Sequence, residues 1–337
     1  MEQKSARRNT TVLVPRLWLA LRVSIALLAA FALRREIQQI DGRAFGGAIA
    51  SFGWKPVLAA VACAGASFLA LGVFELLALR DTARYKGCEA AAKVPARAAM
   101  ITSFVANAFS QSIGLAVLTG SAVRLRAYSR YGVGGVAVAR VSGFVTITAT
   151  LGLLAAGGIA FFEGPAAMKI GHFALSMRAF GVLLSLPALA YLAWAVAGKD
   201  ILAVKSWRIR PPSRRLAFSQ VALSVIDWLL TGTVLFVLLP ATAAIGYLAF
   251  LGVYLVAQTI GVVSHVPGGI GVFEGAFLSL LGAAITVPAA SMLAASLVVY
   301  RVVYYVVPLI VATMVATLGD SRLRENAPHA SLTAHAS

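Results

Sequence analysis

Long apolar segments recur along the whole chain and limit it to a fold that fits a lipid bilayer. A helix needs about 20 mainly apolar residues to span the hydrocarbon core, and 60% of this sequence is hydrophobic. Backbone polar groups must be satisfied internally at that depth, so helices are the expected elements. The sequence predicts an all-α, polytopic membrane bundle with apolar segments near residues 17–33, 57–79, 98–120, 134–160, 179–197, 218–239, 246–263, 270–287 and 289–317.

Charged residues are few and mostly basic. They make up 12% of the sequence and give a formal net charge of +17. The cations lie in short loops between apolar segments, a distribution typical of the positive-inside rule rather than of nucleic-acid binding. The 2 cysteines and 4 histidines have neither disulfide-like nor metal-like spacing, so we expect no metal and no cofactor.

The distribution of Lys and Arg favours a topology in which segment 98–120 enters and leaves on the cytoplasmic side. About eight segments then cross, both termini are cytoplasmic, and 20 cations face the cytoplasm against six outside. If 98–120 spans instead, the six cations of loop 198–217 fall outside. We expect one membrane domain over residues 1–317, an uncleaved first helix and a disordered cytoplasmic tail over 318–337.

Segment 264–275 interrupts the apolar pattern with Pro267 and with three glycines, Gly268, Gly269 and Gly271. Glycine allows positive φ and close approach of backbone. Irregular backbone at membrane depth is tolerated only where it is buried in protein or lines a water-filled cavity. We therefore expect a broken or re-entrant element that forms the wall of a site.

The helix predicted to start near Gly271 would present unpaired N–H groups and the positive end of its dipole inside the protein. Such a terminus binds anions, and phosphate suits it. Glu274 falls in the first turn, where a carboxylate satisfies the same dipole when no ligand is bound. His265 precedes the break and is either a titrating functional group or a satisfied hydrogen-bond partner.

Three ionisable residues of the apolar segments, Arg22, Glu75 and Arg140, lie close to cytoplasmic ends. Each is within about two helical turns of the end, where a side chain can extend to the interface. Interfacial anchoring is the simpler interpretation for these three.

Asp227 and Arg301 lie deeper, roughly ten residues from either end of their segments, or about 15 Å of helix rise. A charged group there costs roughly 2.5–3.5 kcal/mol, so we expect Arg301 to pair with Asp227 or Glu274. The pair either holds the bundle together or lines a substrate route. Tyr304 and Tyr305 share a helix face with Arg301 and either pack against it or contact a ligand.

Segment 98–120 is too polar for a lipid-facing helix. Its Ser112–Gly114 stretch matches Gly269–Gly271 of the second interrupted segment. Interrupted segments in corresponding halves point to an inverted-repeat transporter site. The polar and flexible residues of 98–120 are Ser103, Asn107, Ser110, Gln111, Ser112, Gly114 and Gly120.

Three arginines, Arg124, Arg126 and Arg130, follow segment 98–120 at the predicted cytoplasmic surface. Their forked geometry suits anionic lipid headgroups at an entrance. The alternative is that they only determine topology.

The same residues resemble the membrane region of lysylphosphatidylglycerol synthases, the multiple peptide resistance factor family. The resemblance covers residues 15–317, and its most specific element is Pro-Gly-Gly-x-Gly-Val-x-Glu. It implies a flippase that moves aminoacylated phosphatidylglycerol between leaflets. The full-length family also has a cytoplasmic aminoacyl transferase domain, which we expect this chain to lack. The matching pieces are residues 103–107, 124–130, 227–228, 265–274 and 301–305.

These observations predict a translocase that moves a phospholipid, aminoacylated phosphatidylglycerol being one candidate, across the bacterial cytoplasmic membrane, without enzyme activity. The sequence has no nucleotide-binding loop, so a gradient, a partner or downhill exchange must drive transport. The alternatives are an intramembrane enzyme, with His265 and Glu274 as acid and base, and a scaffold for a partner lipid synthase. The predicted substrate-binding residues are Asn107, Arg124, Arg126, Arg130, Asp227, His265, Pro267, Gly268, Gly269, Gly271, Glu274, Arg301, Tyr304 and Tyr305.

Overall fold

The structure of the protein is a computed structural model, and it describes most of the chain after residue 51. The predicted first apolar segment, 17–33, with Arg22, lies outside the described residues, as does the end of the predicted tail. The described residues are 52–113, 116–162, 167–170, 173–198, 202–204, 207–209, 211–240, 245–281 and 287–325.

The described residues form a helical bundle with two short antiparallel β-hairpins between helices. The hairpins pair β1 (Ala167–Ile170) with β2 (Phe173–Ser176), and β3 (Leu202–Val204) with β4 (Trp207–Ile209). The helices are α1 Trp54–Thr82, α2 Ala96–Ile113, α3 Ala116–Tyr128, α4 Gly135–Phe162, α5 Met177–Ala197, α6 Arg214–Phe236, α7 Tyr247–Val263, α8 Val272–Leu281, α9 Val287–Arg301 and α10 Val307–Glu325.

Length and composition confirm a polytopic membrane fold. Within the described residues, α1, α4, α5, α6 and the continuous stretch Met292–Leu318 are long and apolar enough to cross a membrane. Two apolar helical segments, Tyr247–Val263 and Pro267–Leu281, are shorter. The predicted all-α class is therefore confirmed.

Small residues bring the long helices together, as is typical of helix interfaces in membranes. Gly152 of α4 packs directly against Ser224 of α6. Gly181 of α5 faces the backbone of α4, where an added Cβ would lie 2.7 Å from the Gly158 oxygen. Larger side chains at these crossings would separate the helices.

Helices α2 and α3 form an antiparallel pair, which we call the first hairpin (residues 96–128). An added Cβ at Gly120 would lie 2.9 Å from Ser110 Oγ, so the chain doubles back between these residues. The turns that flank the hairpin pack together, because a Cβ at Gly132 would lie 3.9 Å from that of Ala90. The first hairpin therefore begins and ends on one side of the bundle, as predicted for segment 98–120.

Helices α7 and α8 form a second hairpin (residues 247–281). Their aromatic rings pair in antiparallel order: the Phe250 and Phe277 centroids are 5.8 Å apart, as are those of Tyr254 and Phe273. Helices α4, α5 and α6 each cross the bundle in turn after the first hairpin. The second hairpin therefore enters from the opposite side, and the two hairpins have inverted orientations.

The last long stretch is not a uniform α-helix. Val302–Val306 forms a π-helical turn between α9 and α10. Pro308 lacks the N–H that would bond to the carbonyl of Tyr304 in an α-helix, which favours a wider turn there. Helix α10 continues to Glu325, so the helix extends beyond the boundary predicted at Leu318.

Candidate functional site

The predicted interruption of the second hairpin is present in the structure. Helix α7 ends at Val263, a 3₁₀ turn covers Pro267–Gly269, and α8 begins at Val272. Gly268, Gly269 and Gly271 all have positive φ, between 62° and 76°. The break at the tip of the second hairpin is therefore built by the glycines that the sequence singles out.

Gly269 carries a second constraint besides its φ of 62°. An added Cβ would lie 3.3 Å from Cα of Gly261 on α7. Two glycines thus allow the tip backbone to fold against the helix that precedes it. This close approach places the following residues over the bundle interior.

Glu274 caps the helix that starts after the break. Its Oε2 accepts a hydrogen bond from the Gly271 N–H at 2.8 Å, as a carboxylate in a first helical turn is expected to do. Its Oε1 contacts Nε and Nη2 of Arg301. Arg301 Nη1 also donates to the carbonyl oxygen of Gly268. The predicted pairing of Arg301 with Glu274 is present, and it closes the tip onto α9.

Aromatic rings surround the Arg301 guanidinium. Its Cζ lies 4.8 Å from the ring centroid of Tyr305 and 5.7 Å from that of Phe273. Such rings attract a cation and exclude water from it. Arg301 and Glu274 are only 6% and 8% exposed, so this ion pair lies inside the protein and not at its surface.

Two cavities lie beside the second hairpin and share four lining residues, Asn107, Ser110, Gln258 and Val262. The smaller, about 160 Å³, is lined by the second-hairpin tip and by Tyr305. The larger, about 400 Å³, extends past α3 and α4 to Arg124. We call the two together the groove, which runs between the two hairpins.

The groove combines amide and hydroxyl groups with apolar walls. Asn107 Nδ2 donates to the backbone oxygen of Ser103 at 2.8 Å, and Gln258 Nε2 donates to the Tyr305 hydroxyl at 3.3 Å. Within the described residues, Gln111 Oε1 is buried and has no hydrogen-bond partner. The groove therefore retains capacity to accept a hydrogen bond from a polar ligand.

Asp227 does not pair with Arg301, the alternative that its depth in the sequence left open. Its Oδ1 accepts a hydrogen bond from Ser67 Oγ at 2.6 Å. The Tyr304 hydroxyl lies 3.0 Å from Ser67 Oγ and 3.1 Å from Thr231 Oγ1. Among the described residues, the Ser67 hydroxyl rather than a cation donates to this carboxylate, and such hydroxyls are inconspicuous in an apolar sequence.

Glu75 is not an interfacial anchor, contrary to the simpler interpretation of the sequence. It is fully buried, and Arg124 Nε donates to its Oε1 at 2.8 Å while Nη2 donates to Oε2 at 2.7 Å. The Tyr128 hydroxyl donates to Oε1 at 2.8 Å. Arg124, on α3 of the first hairpin, thus points toward α1. It is part of the bundle interior and not of an exposed entrance.

The other predicted residues lie apart from the ion pairs. Arg126 and Arg130 are exposed at the end of the first hairpin. His265 is exposed at the second-hairpin tip, has a φ of 54°, and its Nδ1 lies 2.7 Å from the Val263 carbonyl oxygen. Arg140 is exposed, and its Cζ lies 4.0 Å from the ring centroid of Tyr85.

Sequence reasoning missed Gln258 and the role of Glu75. Gln258 lies between apolar residues of α7 and lines both cavities of the groove. A polar side chain at helical spacing from the Pro-Gly-Gly break was the available signal. For Glu75, the available signal was Arg124, the cation that pairs with it. The sequence placed Arg124 at the surface together with Arg126 and Arg130, so this pairing was not recognised.

Comparison with known proteins agrees with this architecture. Residues 17–312 match the family model described as lysylphosphatidylglycerol synthase TM region. The chain belongs to this family. The match includes both hairpins, both buried ion pairs and the groove, so these features lie in the part that defines the lysylphosphatidylglycerol synthase TM region.

Two relatives share much of their length with the chain. An uncharacterised protein of Synechocystis, slr0712, is 32% identical over 249 residues, which is 68% of this chain and 73% of the relative. The inner membrane protein YbhN of Escherichia coli is 29% identical over 288 residues, 84% of this chain and 85% of the relative. The similarity thus extends over most of the membrane bundle.

Proposed function

We propose that this protein is a lipid translocase, flippase-like and not an enzyme, that moves a phospholipid headgroup along the groove. The acyl chains stay in the bilayer throughout. Its membrane is the bacterial cytoplasmic membrane, a location supported by the name of the relative YbhN. Aminoacylated phosphatidylglycerol is the candidate cargo suggested by the family, with a partner synthase as the source of the lipid.

The arrangement at Arg301 carries the proposal. Glu274 places its carboxylate at the positive end of α8 and against the Arg301 guanidinium. Both lie next to the tip residues Gly268 and Phe273, which line the smaller cavity of the groove; we call this cavity the Arg301 cleft. A phosphate group offers the same oxygen acceptors and is suited both to helix N-termini and to arginine. The glutamate carboxylate therefore occupies the place that a headgroup phosphate takes when it binds.

Exchange between the two anions gives a reversible binding step. A phosphate that displaces Glu274 keeps Arg301 and the Gly271 N–H satisfied, so neither is left buried without a partner. The displaced carboxylate can then accept a hydrogen bond from a headgroup amine. When Glu274 returns, the phosphate is released.

The groove supplies the rest of the route. Its amides and hydroxyls, at Asn107, Ser110 and Gln258, lie between the Arg301 cleft and the larger cavity. The larger cavity has apolar walls that include Val145 and Leu153. These surfaces suit the glycerol region of a lipid, whose polar and apolar parts meet there.

The test is a lipid-sidedness assay on the full chain reconstituted in vesicles that contain a fluorescent phospholipid. The headgroup dye of the outer leaflet is bleached chemically, and the inward and outward movement is followed over time. We expect Arg301→Gln to abolish movement because the phosphate loses its cation. Glu274→Gln should slow movement because nothing displaces the bound phosphate from Arg301.

Two exposed loop variants, Lys86→Gln and Glu89→Gln, are matched controls and should move lipid at the wild-type rate. Wild-type movement by folded Arg301→Gln protein would contradict the proposed site. Lipids extracted from the same vesicles should be chemically unchanged. New lipid products would instead support the enzyme alternative.

A further inference from the structure

Asp227 lies at the junction of three elements and is separate from the Arg301 cleft. Ser67 of α1 donates to it, Thr231 follows it by one turn of α6, and Tyr304 of the π-helical turn contacts both hydroxyls. Its side chain is buried, with 7% exposure. The cluster thus joins three helical elements through one carboxylate and three hydroxyls.

No basic side chain of the described residues pairs with Asp227. Among the described residues, Tyr304 on the π-helical turn and Tyr254 on α7 interact electrostatically with Asp227, and α1 contributes the hydroxyl of Ser67. Tyrosines are neutral at physiological pH. An ionised carboxylate without a cation is far more costly to bury than a neutral acid. Protonation of Asp227 therefore favours the buried position of its side chain, and exposure to water favours loss of the proton.

We propose that Asp227 is a proton-binding site that couples lipid movement to a transmembrane proton gradient, an inference that rests on the proposed function. Water on one side of the membrane supplies a proton that forms an O–H bond at Oδ2 while Oδ1 accepts from Ser67, and the buried cluster described above is this closed, protonated arrangement. When the cluster opens toward the groove, that bond breaks and the proton returns to water. The carboxyl group carries no other chemistry.

The geometry favours a proton over a metal ion. Hard cations need about six or more oxygen ligands in a roomy shell. Here the Ser67 oxygen is 2.6 Å from Asp227, 3.0 Å from Tyr304 and 3.3 Å from Thr231. The cluster supplies one carboxylate and three hydroxyls, which is fewer oxygens than such a shell needs, and each hydroxyl already lies within hydrogen-bonding distance of a neighbour.

The π-helical turn links the proton site to the lipid site. Tyr304 bonds to the Asp227 cluster, and its neighbour Tyr305 covers the Arg301 guanidinium. The Tyr304 and Tyr305 rings contact each other with centroids 5.6 Å apart. A change at Asp227 that moves Tyr304 therefore changes the surroundings of Arg301, which is the coupling that transport requires.

The decisive experiment imposes a pH gradient across vesicles that contain the full chain and a fluorescent phospholipid, with membrane voltage clamped by potassium and valinomycin. Wild-type protein should accumulate the lipid in one leaflet, and reversal of the gradient should reverse the accumulation. Asp227→Asn should still exchange lipid but show no response to the gradient. Glu89→Gln removes an exposed carboxylate and should respond like wild type.

Transport that ignores the pH gradient in the wild type, or persists with full gradient response in Asp227→Asn, would overturn the inference. A response to a sodium gradient alone would also overturn it. If the wild type moves no lipid, the proposed function fails but proton binding is still measurable. Infrared difference spectra should then show a protonated carboxyl band that titrates with pH and is missing in Asp227→Asn; a band unchanged by this substitution excludes the site.

Discussion

Arg124 forms a two-pronged ion pair with Glu75, in which Nε lies 2.8 Å from Oε1 and Nη2 lies 2.7 Å from Oε2. The pair joins the first hairpin to α1, just as the Arg301–Glu274 pair joins the tip of the second hairpin to α9. Each hairpin is thus held to the bundle by one arginine and one glutamate. The two pairs lie near opposite ends of the groove.

We expect the loss of one partner of the Glu75–Arg124 pair to destabilise the protein more than the replacement of both partners by apolar residues. Arg124→Met leaves a buried carboxylate without its cation and should lower the free energy of unfolding by about 3–5 kcal/mol. The double variant Glu75→Met with Arg124→Met should recover most of that loss. Equilibrium unfolding in detergent measures both.

The control for this pair is Arg126→Met, two residues along the same helix and exposed. It should change stability by no more than about 0.5 kcal/mol. An equal cost for Arg124→Met and Arg126→Met would show that the ion pair contributes nothing.

The groove should admit water. In a background of Cys63→Ala and Cys88→Ala, Gln258→Cys should react rapidly with a charged, membrane-impermeant thiosulfonate, because the thiolate forms in water. Leu189→Cys, on a side chain that is 56% exposed on the outside of the bundle, should face lipid and react slowly. The rates are measured by mass spectrometry, and similar rates at both positions would show that the groove is dry.

A side chain at residue 269 should destabilise the tip of the second hairpin. Gly269→Ala requires a positive φ of an L-residue and pushes a Cβ to 3.3 Å from Gly261 Cα. We expect a loss of about 1–3 kcal/mol in an unfolding experiment and slower lipid movement. Gly143→Ala, in open space within α4, should be neutral or slightly stabilising; a similar loss there would argue against a local cause.

The ends of the first hairpin should be accessible from the same side of the membrane. Lys86→Cys and Gly134→Cys lie in the exposed turns before and after it, and in sealed vesicles of one orientation both should be labelled together. Lys55→Cys, at the start of α1, should be labelled only from the other side. Labelling of residues 86 and 134 from opposite sides would mean that 96–128 spans.

The sequence predicted the second-hairpin break and a carboxylate partner for Arg301, either Asp227 or Glu274, because the signals there are local. Proline and glycines specify the interruption over a few residues, and a deep arginine needs a carboxylate wherever the chain supplies one. Glu274 follows the break directly, but only the structure distinguishes it from Asp227 as the partner of Arg301.

The partners of Glu75 and Asp227 could not be predicted, because both contacts join residues that are far apart in the sequence. Glu75 and Arg124 are 49 residues apart, and Ser67 and Asp227 are 160 apart. Such contacts depend on how α1 packs against the first hairpin and α6, which apolar periodicity does not specify in lipid. Depth along a segment also misled, because Glu75 lies near a helix end yet is enclosed by its neighbours.

The shortness of α8 has a consequence for how the protein is made. Its 10 residues rise only about 15 Å, half of the roughly 30 Å that a bilayer core requires. Helix α8 is therefore too short to be inserted by the translocon as an independent span. Insertion of α8 must therefore be coupled to that of α7, which emerges before it, so that the second hairpin enters the membrane as one unit.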